Sequence, residues 1–137
     1  MDIPRTSARH TGATGINLRG QVVGHYDDVN NRTHGFLFDH GLFATIDVPD
    51  ASFTHPNAIN LRGQIVGEQI TASGTIRGFL FYKGDFTTIE VPESVATIAA
   101  GINTRGHIVG QFNTVDHPRE RGFLATPAKK SSGEERE

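Results

Sequence analysis

Six basic residues recur at two fixed positions along the chain, and basic side chains are well suited to holding anions. Three of them follow an Ile-Asn-x sequence, namely Arg19, Arg62 and Arg105. The other three stand directly before Gly-Phe, namely His34, Arg77 and Arg121. Arginine presents its N–H donors in a planar fork that matches the oxygens of a carboxylate, sulfate or phosphate. We therefore predict these six residues as candidates for ligand binding.

Both sets also have a structural interpretation, which the sequence favours. The first set falls in predicted tight turns, where an arginine is ordinarily solvated. The second set begins a predicted strand whose neighbour carries Asp47 or Glu90, with Asp2 as the third counterpart. Opposite charges that face each other across strands contribute roughly 0.2–1 kcal/mol each. Cross-strand ion pairs are therefore predicted for the second set.

One asymmetric group of residues has the types needed for acid–base chemistry. His25, Asp27 and Asp28 lie in one short segment, and a histidine with carboxylates can move protons for a hydrolase or lyase. The sequence has no Gly-x-Ser-x-Gly elbow and no phosphate-binding loop. It has no cysteine, and its seven histidines lack the spacing of metal ligands. The sequence thus predicts no catalytic residue, no metal and no cofactor, and a small enzyme remains the alternative.

The candidate residues recur because the chain is built from copies of one unit. The segment Gly15–Gly24 reappears as Ala58–Gly67 and as Gly101–Gly110, each copy 43 residues after the last. Residues 15–57 and 58–100 are identical at 19 of 43 positions without a gap. Self-similarity of this kind identifies a repeat architecture. The sequence therefore predicts three repeats, at about residues 15–57, 58–100 and 101–128.

Each complete repeat is predicted to contain four short β-strands. In the first repeat one strand ends at Ile16-Asn17, and the others cover residues 21–26, 34–38 and 43–48. These runs are rich in isoleucine, valine, phenylalanine and threonine, which favour strands. Leu18-Arg19-Gly20 and Asp39-His40-Gly41 are typical of hairpin turns that a glycine closes. No segment shows a helical period, so the fold class is predicted as all-β.

The two ends of the chain differ from the repeats. The third repeat lacks the Phe-Thr-Thr-Ile strand, while Asp2-Ile3-Pro4 matches Asp47-Val48-Pro49 at the end of that strand. We therefore expect residues 1–14 to close the last repeat, so that residues 1–128 form a single domain. Residues 129–137 are charged and are predicted to be disordered.

Three short segments that recur in the repeats resemble the bacterial "extracellular repeat, HAF family". The resemblance lies in the Gly-Ile-Asn-x-x-Gly-x-Ile-Val-Gly segment, in His34-Gly35-Phe36 and in Thr45-Ile46-Asp47-Val48-Pro49, and it covers about residues 2–125. It implies β-propeller-like blades and, often, export from a bacterial cell. The chain departs from the family at Arg77 and Arg121, where the family tends to have histidine.

Three repeats are few for a propeller, which usually has four to eight blades. One prediction is a homodimer in which two chains complete a six-bladed ring, since symmetric dimers are the commonest oligomers. The alternatives are a single chain that closes as a three-bladed ring, as a β-trefoil or as a β-prism with pseudo-three-fold symmetry.

Charge and composition narrow the predicted partners. The formal net charge is −2, so nucleic acid is not an expected partner. No apolar run is long enough to span a membrane, and the N-terminus has no apolar signal-peptide region. Only the resemblance to the family indicates where the protein is located, and it implies export. The predicted function is a non-enzymatic binding or scaffold module with repeated weak sites for a glycan, peptide or small anion. An assembly unit without a ligand is a further alternative.

Overall fold

The computed structural model of the chain describes residues 10–127, and within this range the fold is all-β with no helix. The predicted fold class is therefore confirmed. The first four strands are β1 (His10–Ile16), β2 (Val22–Asp27), β3 (Thr33–Asp39) and β4 (Leu42–Ile46). The next four are β5 (Phe53–Ile59), β6 (Ile65–Ile70), β7 (Ile76–Tyr82) and β8 (Asp85–Ile89). The last three are β9 (Ala96–Ile102), β10 (Ile108–Asn113) and β11 (Arg121–Ala125).

The strands belong to one open mixed sheet that consists of three antiparallel groups. Strands β1 to β4 pair in chain order and form unit 1, β5 to β8 form unit 2, and β9 to β11 form unit 3. A single parallel bridge joins successive units, between Thr33 and Phe53 and again between Ile76 and Ala96. Strands β4 and β8 lie off the main path of the sheet.

The arrangement of the units as propeller blades, as a trefoil or as a prism stays a prediction. Residues 10–13 pair with β2 as part of β1. The predicted closure by residues 1–9 and the predicted disorder of residues 129–137 lie outside the described range.

The predicted hairpin turns are present, and backbone conformation explains their glycines. Gly20, Gly63 and Gly106 have φ of 77°, 87° and 84° and close the three-residue turns. These positive φ values place an L-side chain in a strained conformation, which glycine avoids. In the two-residue turn after Asp39, both His40 and Gly41 have positive φ. Positive φ at both central residues is characteristic of a type I′ turn, whose twist matches that of the two flanking strands.

The glycine that ends each Ile-Val-Gly or Val-Val-Gly sequence is required by a β-bulge on the neighbouring strand. A Cβ added to Gly24, Gly67 or Gly110 would collide with the backbone carbonyl oxygen of the first strand of the same unit. In each of these first strands the pairing register skips one residue, as it does between Ala13 and Gly15 in β1. Bulges leave the additional residue free to point elsewhere.

Two of these bulge residues connect successive units. The Thr14 hydroxyl donates to the Pro56 carbonyl at 2.6 Å, and the Asn57 amide donates to the Ala99 carbonyl at 2.9 Å. Each bond joins residues 42 positions apart in the sequence. The bulge thus positions a polar side chain for contact between units.

The hydrophobic core lies between the units. The first cluster joins Val23, Leu37 and Ile46 of unit 1 to Ile59, Ile65, Phe79 and Phe81 of unit 2. The second cluster joins the equivalent Val66, Leu80 and Ile89 of unit 2 to Ile102, Ile108, Phe123 and Ala125 of unit 3. We call the side of a unit that packs on the following unit its forward face, and the opposite side its rear face. Each internal interface is therefore a forward face against a rear face.

Candidate functional site

The three arginines of the first candidate set lie at the tips of the hairpins that begin each unit. Arg19 lies between β1 and β2, Arg62 between β5 and β6, and Arg105 between β9 and β10, and all three are exposed. Among residues 10–127 none of them forms an ion pair with a carboxylate. Their guanidinium groups thus remain available to an external anion.

A line of asparagines holds these tips side by side. The side-chain amide of Asn17 donates to the backbone carbonyl of Asn60 at 2.9 Å, and the amide of Asn60 donates to the carbonyl of Asn103 at 2.9 Å. The side-chain oxygens accept from the backbone within the same turns, for example from the amide of Gln64 at 2.9 Å. Each of these asparagine side chains therefore caps its own turn. The bonds between units were not predicted, because they join residues 43 positions apart.

The second candidate set lies at the opposite end of the units, so the two sets do not form one site. His34, Arg77 and Arg121 stand at or near the starts of β3, β7 and β11. Strand β2 runs from the Arg19 turn to the loop that precedes β3, and its six residues span roughly 20 Å.

Two members of the second set make the ion pairs that the sequence predicts. His34 Nδ1 lies 2.9 Å from Asp47 Oδ2, and Arg77 Nη2 lies 3.1 Å from Glu90 Oε2. The predicted pairing of Arg121 with Asp2 falls outside the described residues. Instead, the Arg121 guanidinium lies over the Phe112 ring at 5.0 Å. Arg121 also lines a cavity of about 420 Å³.

His34 makes an additional contact with a carboxylate that Arg77 and Arg121 do not make with any residue from 10 to 127. Its Nε2 lies 2.8 Å from Asp28 Oδ2, and its ring stacks on Tyr26 with centroids 5.0 Å apart. Asp28 also accepts hydrogen bonds from the backbone amides of Asn30 and Arg32, which organise the turn. The equivalent of Asp28 in unit 2 is Thr71, which bonds within its own turn. A histidine with a carboxylate on each side fits a structural clamp.

This clamp makes stability depend on pH. Partial burial alone would lower the pKa of His34, but the hydrogen bonds to Asp28 and Asp47 outweigh it and raise the pKa above 6.5. A raised pKa in the folded state means that the His34 contribution is present below pH 6.5 and is lost as pH rises through the folded-state pKa. The hydrogen bond from His34 lowers the pKa of Asp28 below 3.8, so the contribution of Asp28 is lost only in stronger acid.

We expect His34→Gln to destabilise the protein more at about pH 5.5 than at about pH 8, because only the imidazolium pairs with both carboxylates. Urea unfolding of wild type and variant at both pH values measures this difference. His34→Arg introduces the residue that unit 2 has at the equivalent position, Arg77. This variant is expected to keep the pairing with Asp47, and its stability is expected not to depend on pH in this range. Equal destabilisation by His34→Gln at the two pH values would contradict the proposed role of the charge.

No hydrogen bond or ion pair among residues 10–127 joins the residues suggested for an enzyme to one another, although, against the larger lowering effect of burial, the charge of Asp27 acts to raise the pKa of His25. Asp28 is engaged by His34 and the turn amides. Asp27 accepts a hydrogen bond from the Thr33 hydroxyl at 2.7 Å. The ring of His25 instead stacks on His55 of unit 2, with centroids 4.2 Å apart.

The contact between His25 and His55 is the feature near these residues that the sequence analysis missed. Burial lowers the pKa of His25, and the neighbouring His55 lowers it further. Among the described residues the buried Nδ1 of His25 has no hydrogen-bond partner. A signal was present, because His25 aligns with Glu68 and Gln111 in the other repeats, and His55 aligns with Gly12 and Ile98. Both positions vary among the three repeats, and the two histidines stack on each other across the interface between units 1 and 2.

Within the described part of the chain, no group of three or more histidine and carboxylate side chains is placed to hold a metal ion. No helix in residues 10–127 has the length and apolar character needed to cross a membrane. Comparison of the chain with protein-family models, curated proteins and solved structures gave no match.

Proposed function

We propose that the chain is a non-enzymatic binding module that recognises an anionic ligand through Arg19, Arg62 and Arg105. The strongest support is that all three arginine side chains are exposed and that their turns lie side by side. The three guanidinium groups have no carboxylate partner among the described residues, and the asparagine bonds hold their turns next to each other. The ligand class is a glycan, peptide or small anion that carries carboxylate or sulfate groups.

The chemistry of arginine favours such a ligand. A guanidinium forms charge-assisted, two-pronged hydrogen bonds with carboxylate and sulfate oxygens. A single exposed contact of this kind is weak, but a chain-like ligand that reaches several turns gains affinity through effective concentration. The formal net charge of −2 gives no general attraction for anions. Binding is therefore expected to be local and to weaken as salt screens the contacts.

The second candidate set supports the proposal less. His34 and Arg77 are already paired with carboxylates of their own unit. A ligand at these residues would have to displace Asp47 or Glu90. We therefore assign these two residues a structural role and keep Arg19, Arg62 and Arg105 as the proposed binding residues.

We expect Arg19→Gln with Arg62→Gln to weaken binding of a sulfated or carboxylated oligosaccharide by about tenfold or more, because two charge-assisted contacts are lost. Titration calorimetry at low salt measures the affinity. The matched control is Lys83→Asn with Arg119→Gln, which removes two positive charges from other turns. Asparagine is chosen at position 83 because φ there is 51° and asparagine tolerates this region.

Selective loss with the arginine pair supports the proposal. Equal weakening by both pairs would reduce the binding to non-specific attraction between charges. If the wild-type protein binds neither the sulfated nor the carboxylated probe, the proposal fails.

A further inference from the structure

Residues 10–127 form the same interface twice, between units 1 and 2 and between units 2 and 3, and leave one half of it exposed at each end of this range. At the two internal interfaces the central forward-face residues Val23 and Val66 are both 0% exposed. The equivalent residue of unit 3, Val109, is 49% exposed, and its neighbour Leu124 is 64% exposed. Unit 3 therefore presents the forward face that units 1 and 2 bury.

The rear face of unit 1 is uncovered in the same way. Ile16 is 68% exposed, whereas its equivalent Ile59 in unit 2 is 6% exposed. Ile16 and Val22 line an open apolar groove of about 470 Å³ together with Phe38. The equivalents of these residues in unit 2 are Ile59, Ile65 and Phe81, and all three pack against unit 1. The groove thus corresponds to the surface on which a preceding unit would pack.

The polar contacts of the interface are interrupted at the same two ends. Asn17 and Asn60 each donate a side-chain hydrogen bond to the asparagine carbonyl of the next unit. Asn103 holds the equivalent position in unit 3, is exposed, and donates no such bond to any residue from 10 to 127. The carbonyl of Asn17 accepts a bond from Gly20 within its own turn. Within the described chain it lacks the bond from a preceding asparagine that the carbonyl of Asn60 receives.

We infer that a second copy of this chain covers both faces, with the forward face of unit 3 of each protomer on the rear face of unit 1 of its partner. The occupant is a second copy because the two exposed surfaces match the two sides of an interface that the chain already forms internally. In this contact Val109 meets Ile16 and Val22 of the partner subunit, as Val66 meets the equivalent Ile102 and Ile108 within the chain. The Asn103 amide donates to the carbonyl of the partner's Asn17. Two such head-to-tail contacts close a ring of six units with two-fold symmetry.

The first measurement is the solution mass of the full chain by light scattering on a sizing column. We expect a mass about twice the 14.9 kDa of one chain. A charge at the centre of either face is expected to halve that mass, because it would be buried without a partner. The variants are Val109→Asp on the forward face and Ile16→Lys on the rear face. Both residues are exposed within one chain, so the fold of each protomer is expected to survive.

Mixing the two variants separates a specific interface from general loss of solubility. One of the two contacts in the mixed dimer is wild type, and the other brings the two introduced side chains together with opposite charges. The mixture is therefore expected to regain the dimer mass, whereas neither variant alone does so. Leu42→Asp is the matched control, since Leu42 is 74% exposed and its equivalent in unit 2 is Asp85. This control is expected to stay dimeric.

A wild-type mass of one chain would overturn the inference and would mean that the faces are covered within the chain or left open. A mass other than that of two chains would overturn the six-unit ring. Dimers that persist in both Val109→Asp and Ile16→Lys would place the contact elsewhere. The measurement needs no ligand, so its failure is independent of the proposed anion binding.

Discussion

Replacement of Phe79 by alanine is expected to lower the free energy of unfolding by about 3–5 kcal/mol. Phe79 is 0% exposed and belongs to the cluster between units 1 and 2. Its ring meets the ring of Phe86 edge to face, with centroids 5.9 Å apart. The substitution removes the largest side chain at the centre of an interface that holds two units together. Since domains are commonly stable by only about 5–15 kcal/mol, the loss would be a large part of the total.

Urea unfolding followed by circular dichroism measures this loss, because the chain has no tryptophan to serve as a fluorescent probe. Protein concentration is kept constant, since the dimer that we infer would couple stability to concentration. Leu42→Ala is the control, with an expected change within about 0.5 kcal/mol because Leu42 is exposed. A loss below about 1 kcal/mol for Phe79→Ala would contradict the close packing between the units.

Replacement of Asn60 by alanine is expected to cost about 2–4 kcal/mol, since it removes three hydrogen bonds of a buried side chain and leaves their partly buried partners unpaired. Asn60 is 5% exposed. Its amide donates to Gln64 Oε1 at 2.7 Å and to the Asn103 carbonyl at 2.9 Å, and its oxygen accepts from the Gln64 amide at 2.9 Å. The same residue therefore caps its own turn and binds the next unit.

Asn103→Ala is the matched control for this prediction, and both substitutions are compared in the Val109→Asp background, in which the inferred dimer and its bond from Asn103 are expected to be lost. Asn103 has the same place in its turn but is exposed and accepts one hydrogen bond, from the backbone amide of His107 at 2.9 Å. Its replacement is expected to cost about 1 kcal/mol or less. Unfolding in urea compares the two variants directly. Equal losses would show that the bond between units contributes nothing beyond the cap.

An aspartate substitution separates the two roles of Asn60. Aspartate retains the oxygen that caps the turn but has no amide to donate to the Asn103 carbonyl, and a buried carboxylate lacks compensation there. Asn60→Asp is therefore expected to destabilise the protein about as much as Asn60→Ala. In the same monomeric Val109→Asp background, Asn103→Asp is expected to be nearly neutral. A tolerated Asn60→Asp would mean that turn capping is the only role of this asparagine.

Local features of the fold could be predicted well because they depend on residues close in sequence. Gly20 and Gly41 indicate turns with positive φ, and the β-branched and aromatic runs between turns indicate strands. The pairing of His34 with Asp47 and of Arg77 with Glu90 was also predictable. The two strands that carry each pair are joined by a short hairpin, so the residues face each other in a register that the turn fixes.

Features of the candidate site that depend on contact between units could not be predicted in this way. The stacking of His25 on His55 and the Asn17 bond to Asn60 each join residues that are neighbours only after the units pack. The position of Arg121 over Phe112 is different, because these residues are direct partners in the β10–β11 pair within unit 3. The spacing of the repeats shows which residues are equivalent, but it does not show which face of one unit packs against which face of the next.

The amino-acid sequence was enough to establish that this protein is all-β, where its turns fall, and which basic residues occupy equivalent positions. These properties follow from local backbone preference and from the 43-residue repeat. The packing of the units was needed to show that Val66 is buried while Val109 is exposed, although the two residues are equivalent in sequence. This difference arises because burial depends on the presence of a following unit, and unit 3 is the last in the described chain.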